Sequence, residues 1–175
     1  ITSNTGVNKW VIGSAAGNPA NALYVSNDNG VSAQYTITST SYSRASKVFT
    51  LPTSVSSPLK IRYNWIGRGE TTTADRIRVW LVPASSTLPA LGTDISTTNT
   101  TGAVVVGLTN HNGAVGATWQ EVTFTVPTAM LPDTLLHGNN FLLLGLLFSF
   151  LFKFPCYSFM VCWNNSVLLP SFPSW

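Results

Sequence analysis

The chain of 175 residues is long enough to form one domain with a hydrophobic core of its own. It carries nine Lys or Arg against six Asp or Glu, and the net charge of +3 is mild. No basic run is interleaved with aromatic residues in the way that a nucleic-acid surface requires, so a nucleic-acid partner is not expected. Abundant Ser and Thr, few charges and few strong helix formers are typical of an extracellular β-protein.

The first part of the chain consists of short β-rich runs separated by Gly, Asn, Pro, Ser and Thr. It begins at Ile1 without an apolar leader, and we interpret it as a piece of a longer precursor. Strands are predicted at 22–26, 33–38 and 47–51. Between the first two, Asn-Asp-Asn-Gly at 27–30 predicts a tight turn, because these residues accept a left-handed backbone.

Three stronger strand patterns follow at 60–65, 76–81 and 121–126, with a weaker one at 103–108. Alternation of apolar and polar residues gives each strong strand one dry and one wet face, which is typical of antiparallel sheets packed in layers. The sequence therefore predicts an all-β fold, an antiparallel two-layer β-sandwich. The side chains predicted for its core are Ile61, Tyr63, Trp65, Ile77, Val79, Leu81, Val122, Phe124 and Val126.

The composition changes abruptly after Asn140. Residues 141–175 hold seven of the nine Phe and both Cys, but no Thr, no acid and a single charge, Lys153. We therefore predict one domain over residues 1–148 and an atypical apolar tail over 149–175 that is foreign to the fold, as a reading-frame slip would produce. The alternative is a membrane anchor, but the uncharged run at 141–152 is shorter than the roughly 20 residues that a span needs. A membrane partner is not expected.

Several segments, taken in order, resemble one family. They are residues 8–13, 22–30, 42–45, 63–65, 69–70 and 75–83, followed by Trp119 ahead of a strand. This set is similar to the jelly-roll modules of large secreted surface proteins in Bacteroidetes, related to the cleaved-adhesin and MAM-like domains. The resemblance covers residues 8–137, and the chain departs from the family after Gly145, where the closing strand is expected.

The resemblance implies a jelly-roll-like sandwich in a secreted or cell-surface bacterial protein, with neighbouring domains in a longer chain. It implies adhesion or glycan binding, with a glycan or a host or cell-surface protein as partner. It also implies structural calcium in some members, for which Asp28, Glu70 and Asp75 are the predicted ligands, because Ca²⁺ prefers carboxylate and loop carbonyl oxygens. The alternative is that Glu70 or Asp75 pairs with Arg68 or Arg76 in a solvated loop.

Trp80 shares the outward parity of Arg76 and Arg78, and it would lie near Arg62 if the two strands form a hairpin. Trp80, Arg62 and Arg78 would then form an aromatic platform flanked by cations, suited to sugar rings or anionic glycans. The alternative is that a loop, strand or neighbouring domain covers Trp80, with an arginine stacked on its ring. Since tryptophan is more often covered than displayed, we favour the covered position.

A catalytic site is not expected, because His111 and His137 are isolated and no His, Cys and Asp cluster has metal-ligand spacing. A glycosidase-type carboxylate pair would have to be drawn from Glu70, Asp75, Asp94 and Glu121. The predicted function is a non-catalytic extracellular binding or adhesion module with affinity for glycans. The alternatives are a polysaccharide-acting hydrolase with a jelly-roll fold and a structural spacer domain.

Overall fold

The computed structural model describes residues 6–15, 22–36, 42–50, 58–68, 76–112, 118–130, 143–151 and 158–162. Within these ranges nine β-strands pair in small antiparallel sheets, and the helical content is one 3-10 turn, Thr128–Met130. The expectation of an all-β chain is confirmed. The strands are β1 (Lys9–Gly13), β2 (Ala22–Ser26), β3 (Ala45–Thr50), β4 (Lys60–Arg68), β5 (Arg76–Pro83), β6 (Val104–Val105), β7 (Gln120–Thr125), β8 (Leu143–Leu151) and β9 (Ser158–Cys162).

The strands form two sheets. The five-stranded sheet has the order β1-β2-β9-β4-β7, and the four-stranded sheet has the order β3-β8-β5-β6. Each pairing is antiparallel. Consecutive strands are thus seldom neighbours: β4 pairs with β7 and β9, and β5 pairs with β6 and β8.

One cluster of buried side chains, the central core, draws on both sheets. Of the nine side chains predicted for the core, seven are buried there, while Val122 and Phe124 are partly buried and pack against it. The alternation in the sequence predicted these positions because each strand turns every second residue to the central core. The buried members are Trp10, Val25, Tyr35, Ala45, Leu59, Ile61, Tyr63, Trp65, Ile77, Val79, Leu81, Val106, Val126 and Met130.

Two smaller clusters lie on the opposite faces of the sheets. The second cluster, on the five-stranded sheet, contains Ala22, Tyr24, Ala33 and Ile66, with Val11 and Trp119 packed against it. The third cluster, on the four-stranded sheet, contains Trp80, Val82, Ile95 and Ala103, with Val105 packed against it. Large parts of both sheets are therefore covered on both faces.

The predicted strands agree with the structure to different degrees. The turn at 27–30 is confirmed, with φ of 59° at Asn29 and 97° at Gly30. The strand predicted at 103–108 is reduced to Val104–Val105. The strand predicted at 33–38 is absent over 33–36, where the chain lies against the five-stranded sheet through Ala33, and positions 37 and 38 lie outside the described residues.

Two strands of the structure, β8 and β9, include residues of the tail predicted over 149–175. The boundary at residue 148 runs through β8, which pairs with β3 on one side and β5 on the other. Residues 158–162 form β9, an inner strand between β2 and β4. The run at 143–151 does not alternate, so the period-two pattern gave no strand prediction for β8. In the part of the chain that is described, no helix has the length and apolar character needed to cross a membrane.

Leu81→Ala is expected to lower the free energy of unfolding by about 2–5 kcal/mol, because Leu81 is fully buried in the central core and the change leaves a cavity. Urea denaturation measures the loss. Leu91→Ala removes the same atoms from a side chain that is 44% exposed, and it should change the stability by less than about 0.5 kcal/mol. Equal losses in the two variants would contradict the placement of β5 at the centre of the molecule.

Candidate functional site

Trp80 is covered, as the favoured alternative predicted. Its side chain is 3% exposed and packs in the third cluster with Ile95 and Ala103, which belong to the long connection between β5 and β6. This connection, residues 84–103, thus lies over the face of β5 that points away from the central core. The ring of Trp80 is therefore not displayed to solvent.

The same connection is held by Arg76 and Arg78 of β5 and by Arg44, which directly precedes β3. Arg78 donates from Nη1 to Asp94 Oδ2 at 3.0 Å and from Nε to Asn110 Oδ1 at 2.9 Å. Arg76 Nη2 lies 3.6 Å from the same Asp94 oxygen, and Arg44 donates to the carbonyl of Pro89 at 2.8 Å. Burial lowers the pKa of Arg78, with the nearby charge of Arg76 acting in the same direction. Arg78 therefore anchors residues 84–103 to the sheet.

Arg62 lies in the other sheet, so the structure does not bring the three predicted ligand-binding residues together. The hairpin that would place Arg62 beside Trp80 is not formed, because β4 pairs with β7 and β9 instead of β5. The position directly opposite Arg62 is Thr123, and its nearest charged partner is Glu121, at 3.5 Å from Nε to Oε1.

Asp28, one of the three predicted calcium ligands, is engaged within its own turn. Its carboxylate accepts hydrogen bonds from the hydroxyls of Ser26 and Ser32, at 2.6 and 2.5 Å, and from the Ser32 amide at 3.0 Å. These bonds, the one from Ser26 first, lower the pKa of Asp28 to about 2. Glu70 and Asp75 lie outside the described residues. The calcium site therefore stays a prediction, and at Asp28 an ion would have to replace hydroxyl donors that already satisfy both oxygens.

His111 is fully buried and joins the two sheets. Its backbone pairs with that of Ile77 through two hydrogen bonds of 2.8 Å, which extends the edge of β5 beyond β6. Its Nε2 lies 2.6 Å from the hydroxyl of Tyr63 on β4, and that hydroxyl donates to the Val106 carbonyl at 3.0 Å. The rings of His111 and Trp65 also pack edge to face, nearly perpendicular at 89° and with centroids 4.8 Å apart. The imidazole is thus part of the central core.

The number of hydrogen bonds that the His111 imidazole can donate depends on its protonation. Nδ1 lies 3.2 Å from the Ile77 carbonyl, which can only accept, and Nε2 faces a Tyr63 hydroxyl whose proton is directed to Val106. A neutral imidazole has a single N–H and cannot donate to both neighbours, whereas a protonated one can. Burial nevertheless dominates and lowers the pKa of His111 to about 4, against a smaller opposing effect of the Ile77 carbonyl. Burial also raises the pKa of Tyr63.

Close packing fixes the Tyr63 hydroxyl. Gly107, with φ of 78°, follows Val106 in the chain. A Cβ at this position would lie 3.0 Å from the Tyr63 hydroxyl and 2.5 Å from Val122 Cγ1. The glycine therefore meets two requirements at once, a left-handed backbone and the close approach of β4 and β7 side chains.

An open polar surface remains on the five-stranded sheet, on the side away from the central core. We call it the β4–β7 face; its members are Lys60, Arg62 and Asn64 of β4, Glu121, Thr123 and Thr125 of β7, and Trp119 just before β7. The register places them in cross-strand pairs, Lys60 with Thr125, Arg62 with Thr123 and Asn64 with Glu121. Trp119 is partly buried and packs against the second cluster, which contains Ile66.

Sequence reasoning placed Arg62 correctly on an outward face but assigned it the wrong neighbours. It treated Trp119 as packing, and it did not single out Lys60, Asn64, Thr123 and Thr125. Their positions follow from the same alternation that predicted the core, since outward residues alternate with the buried ones. The missing information was the pairing of β4 with β7, because their paired residues lie more than fifty positions apart in the chain.

Comparisons with protein-family models, with curated proteins and with solved structures found no match for the chain.

Acidification is expected to destabilise the fold through His111. Its pKa is lowered from 6.5 to about 4 in the folded state, so the unfolded chain binds the proton first as pH falls. The stability present above pH 6.5 is therefore lost as pH falls towards the folded pKa, by about 2 kcal/mol between pH 7.5 and pH 5. Chemical denaturation at both pH values measures this loss. His111→Gln, which cannot titrate, should be less stable at pH 7.5 but should show a much smaller pH dependence; an unchanged dependence would refute the assignment.

Proposed function

We propose that the chain is a jelly-roll sandwich that serves as a non-catalytic binding or adhesion module of a secreted or cell-surface bacterial protein. The strand pairing supports the fold. From β2 onward the pairs are nested, β2 with β9, β3 with β8, β4 with β7 and β5 with β6. Nested antiparallel pairs of this kind describe a long two-stranded ribbon rolled into two sheets, which is the jelly-roll arrangement. A central core that draws on both sheets is consistent with two layers.

One observation carries the non-catalytic proposal: within the described residues, His111, Asp28 and Asp94 are committed to structural contacts. His111 is fully buried, and its ring nitrogens face Tyr63 and the Ile77 carbonyl. Among the described carboxylates, Asp28 is held by two serines and Asp94 by two arginines, while Glu121 is exposed and pairs loosely with Arg62. Glycoside hydrolysis needs two accessible carboxyl groups about 5–10 Å apart on either side of a bond. Asp94 and Glu121 instead pair with arginines of different sheets.

The surface composition supports an extracellular partner. The chain has 9% charged residues and is rich in Ser and Thr, and the described outer faces that are open to solvent carry hydroxyl and amide groups. The proposed partner is therefore a glycan, or a host or cell-surface protein, which the polar outer faces of this chain bind. Neighbouring domains of a longer chain are part of the proposal, which rests for this point on the family resemblance.

The test is to incubate the purified chain with a panel of immobilised polysaccharides and cell-surface glycoproteins, and to measure retention and the release of reducing ends in parallel. Retention without release is expected. Release that is lost in Glu121→Gln or Asp94→Asn would establish the hydrolase alternative. An absence of retention across the panel, with the chain folded by circular dichroism, would establish the spacer alternative.

A further inference from the structure

We propose that the β4–β7 face binds an acidic carbohydrate chain, one that carries carboxylate or sulfate groups, laid along the two strands. The inference rests on the proposed binding function and deepens it by naming the surface and the class of ligand.

The β4–β7 face is accessible along β7. The outward side of β5 is covered by residues 84–103, and the outward side of β2 is covered by residues 27–36, so that Trp80 and Tyr24 are 3% and 1% exposed. On β7, by contrast, Glu121, Thr123 and Thr125 are all exposed. Within the described ranges, the β4–β7 face is a sheet surface that no connection covers.

The side chains of the β4–β7 face suit a sugar chain. The cross-strand pairs present hydroxyl, amide and charged groups in two adjacent rows. From the Lys60–Thr125 pair to Ile66 and Trp119, the face extends over seven residues on each side, six steps along the strand or about 20 Å. Rows of donors and acceptors on a flat sheet match the hydroxyl groups of an extended sugar chain.

The indole of Trp119 lies at one end of the β4–β7 face. Trp119 packs against the second cluster on one side, and this contact fixes its ring without burying it fully. A ring that is anchored in this way loses little freedom when a sugar stacks against it. Carbohydrate sites commonly combine one such apolar platform with a few polar groups that fix orientation.

The charge of the β4–β7 face favours an acidic over a neutral sugar chain. The face carries Lys60, Arg62 and Glu121, which give it a net charge of +1. The Arg62–Glu121 pair is loose, at 3.5 Å from Nε to Oε1, with side chains 39% and 52% exposed. Arg62 Nε is itself buried, so the exposed part of the guanidinium is what a ligand can reach. A partly exposed guanidinium beside an exposed ammonium complements a carboxylate or a sulfate.

The experiment uses the full chain in titration calorimetry with three probes: polygalacturonate, dextran sulfate and neutral dextran. Binding to one or both acidic polymers is expected, together with weakening as salt is raised. The two acidic probes distinguish carboxylate from sulfate as the recognised group. Lys60→Gln and Arg62→Gln are each expected to weaken binding about tenfold, since each removes charge-assisted hydrogen bonds. Thr123→Val, which keeps the shape of the side chain and removes the hydroxyl, should weaken binding by a smaller factor.

Lys47→Gln is the matched control, because it removes the same charge from an exposed position on β3 of the other sheet. Its affinity should equal that of the parent chain. Equal losses in Lys47→Gln and Lys60→Gln would overturn the inference, since attraction would then come from overall charge. Preference for neutral dextran, or retention only on glycoproteins freed of their glycans, would also overturn it while leaving the proposed binding function intact. Turnover of a probe would overturn the proposed function itself.

Discussion

The arrangement of the molecule depends on where the last two described strands lie. β9 is hydrogen-bonded to β2 and to β4, and β8 is hydrogen-bonded to β3 and to β5. Without β9 the five-stranded sheet would be divided into β1-β2 and β4-β7, and without β8 the strand β3 would lose its partner in the four-stranded sheet. Backbone groups of inner strands need partners on both sides, because an unpaired buried amide or carbonyl is costly. β8 and β9 therefore join segments that the other described strands leave separate.

A second link crosses between the sheets. Tyr63 on β4 donates to Val106 beside β6 and meets His111, which is paired to Ile77 at the end of β5. These polar groups are fully enclosed, so their hydrogen bonds are specific: a shift of one sheet against the other would leave a carbonyl or a hydroxyl unsatisfied. The cost of this specificity is a histidine that must stay neutral inside the core.

Much of the fold could be predicted from local patterns. Alternation identified β4, β5 and β7 and the side chains that they bury, because polar residues alternate with apolar ones over β7, most of β4 and the first half of β5. The left-handed turn at Asn29 and Gly30 followed from residue chemistry alone. The covering of Trp80 followed from the size of the indole, although the residues that cover it, among them Ile95 and Ala103, gave no signal of their own.

The rest could not be predicted because pairing is not local. Arg62 was expected beside Trp80 on the assumption that consecutive strands form a hairpin, whereas β4 and β5 lie in different sheets. The tail from residue 149 was set apart because the composition changes after Asn140 and the family ending is missing, yet the end of β8 pairs with β5. Composition alone does not show which strands a segment pairs with. The candidate site depends on the same pairing, so its members could be listed from the sequence only once β7 was known to lie against β4.

Hydrogen exchange in Met160→Pro, compared with Met160→Ala, tests most directly whether β9 joins β2 to β4. Met160 lies opposite Tyr24 of β2 and opposite Ile66 of β4, and proline cannot donate to the ladder of an inner strand. The account predicts that the proline variant loses protection of the β2 and β4 amides on both sides of β9, while the alanine variant retains it. Unchanged protection of both strands in the proline variant would contradict the inner position of β9 and, with it, the arrangement of the five-stranded sheet.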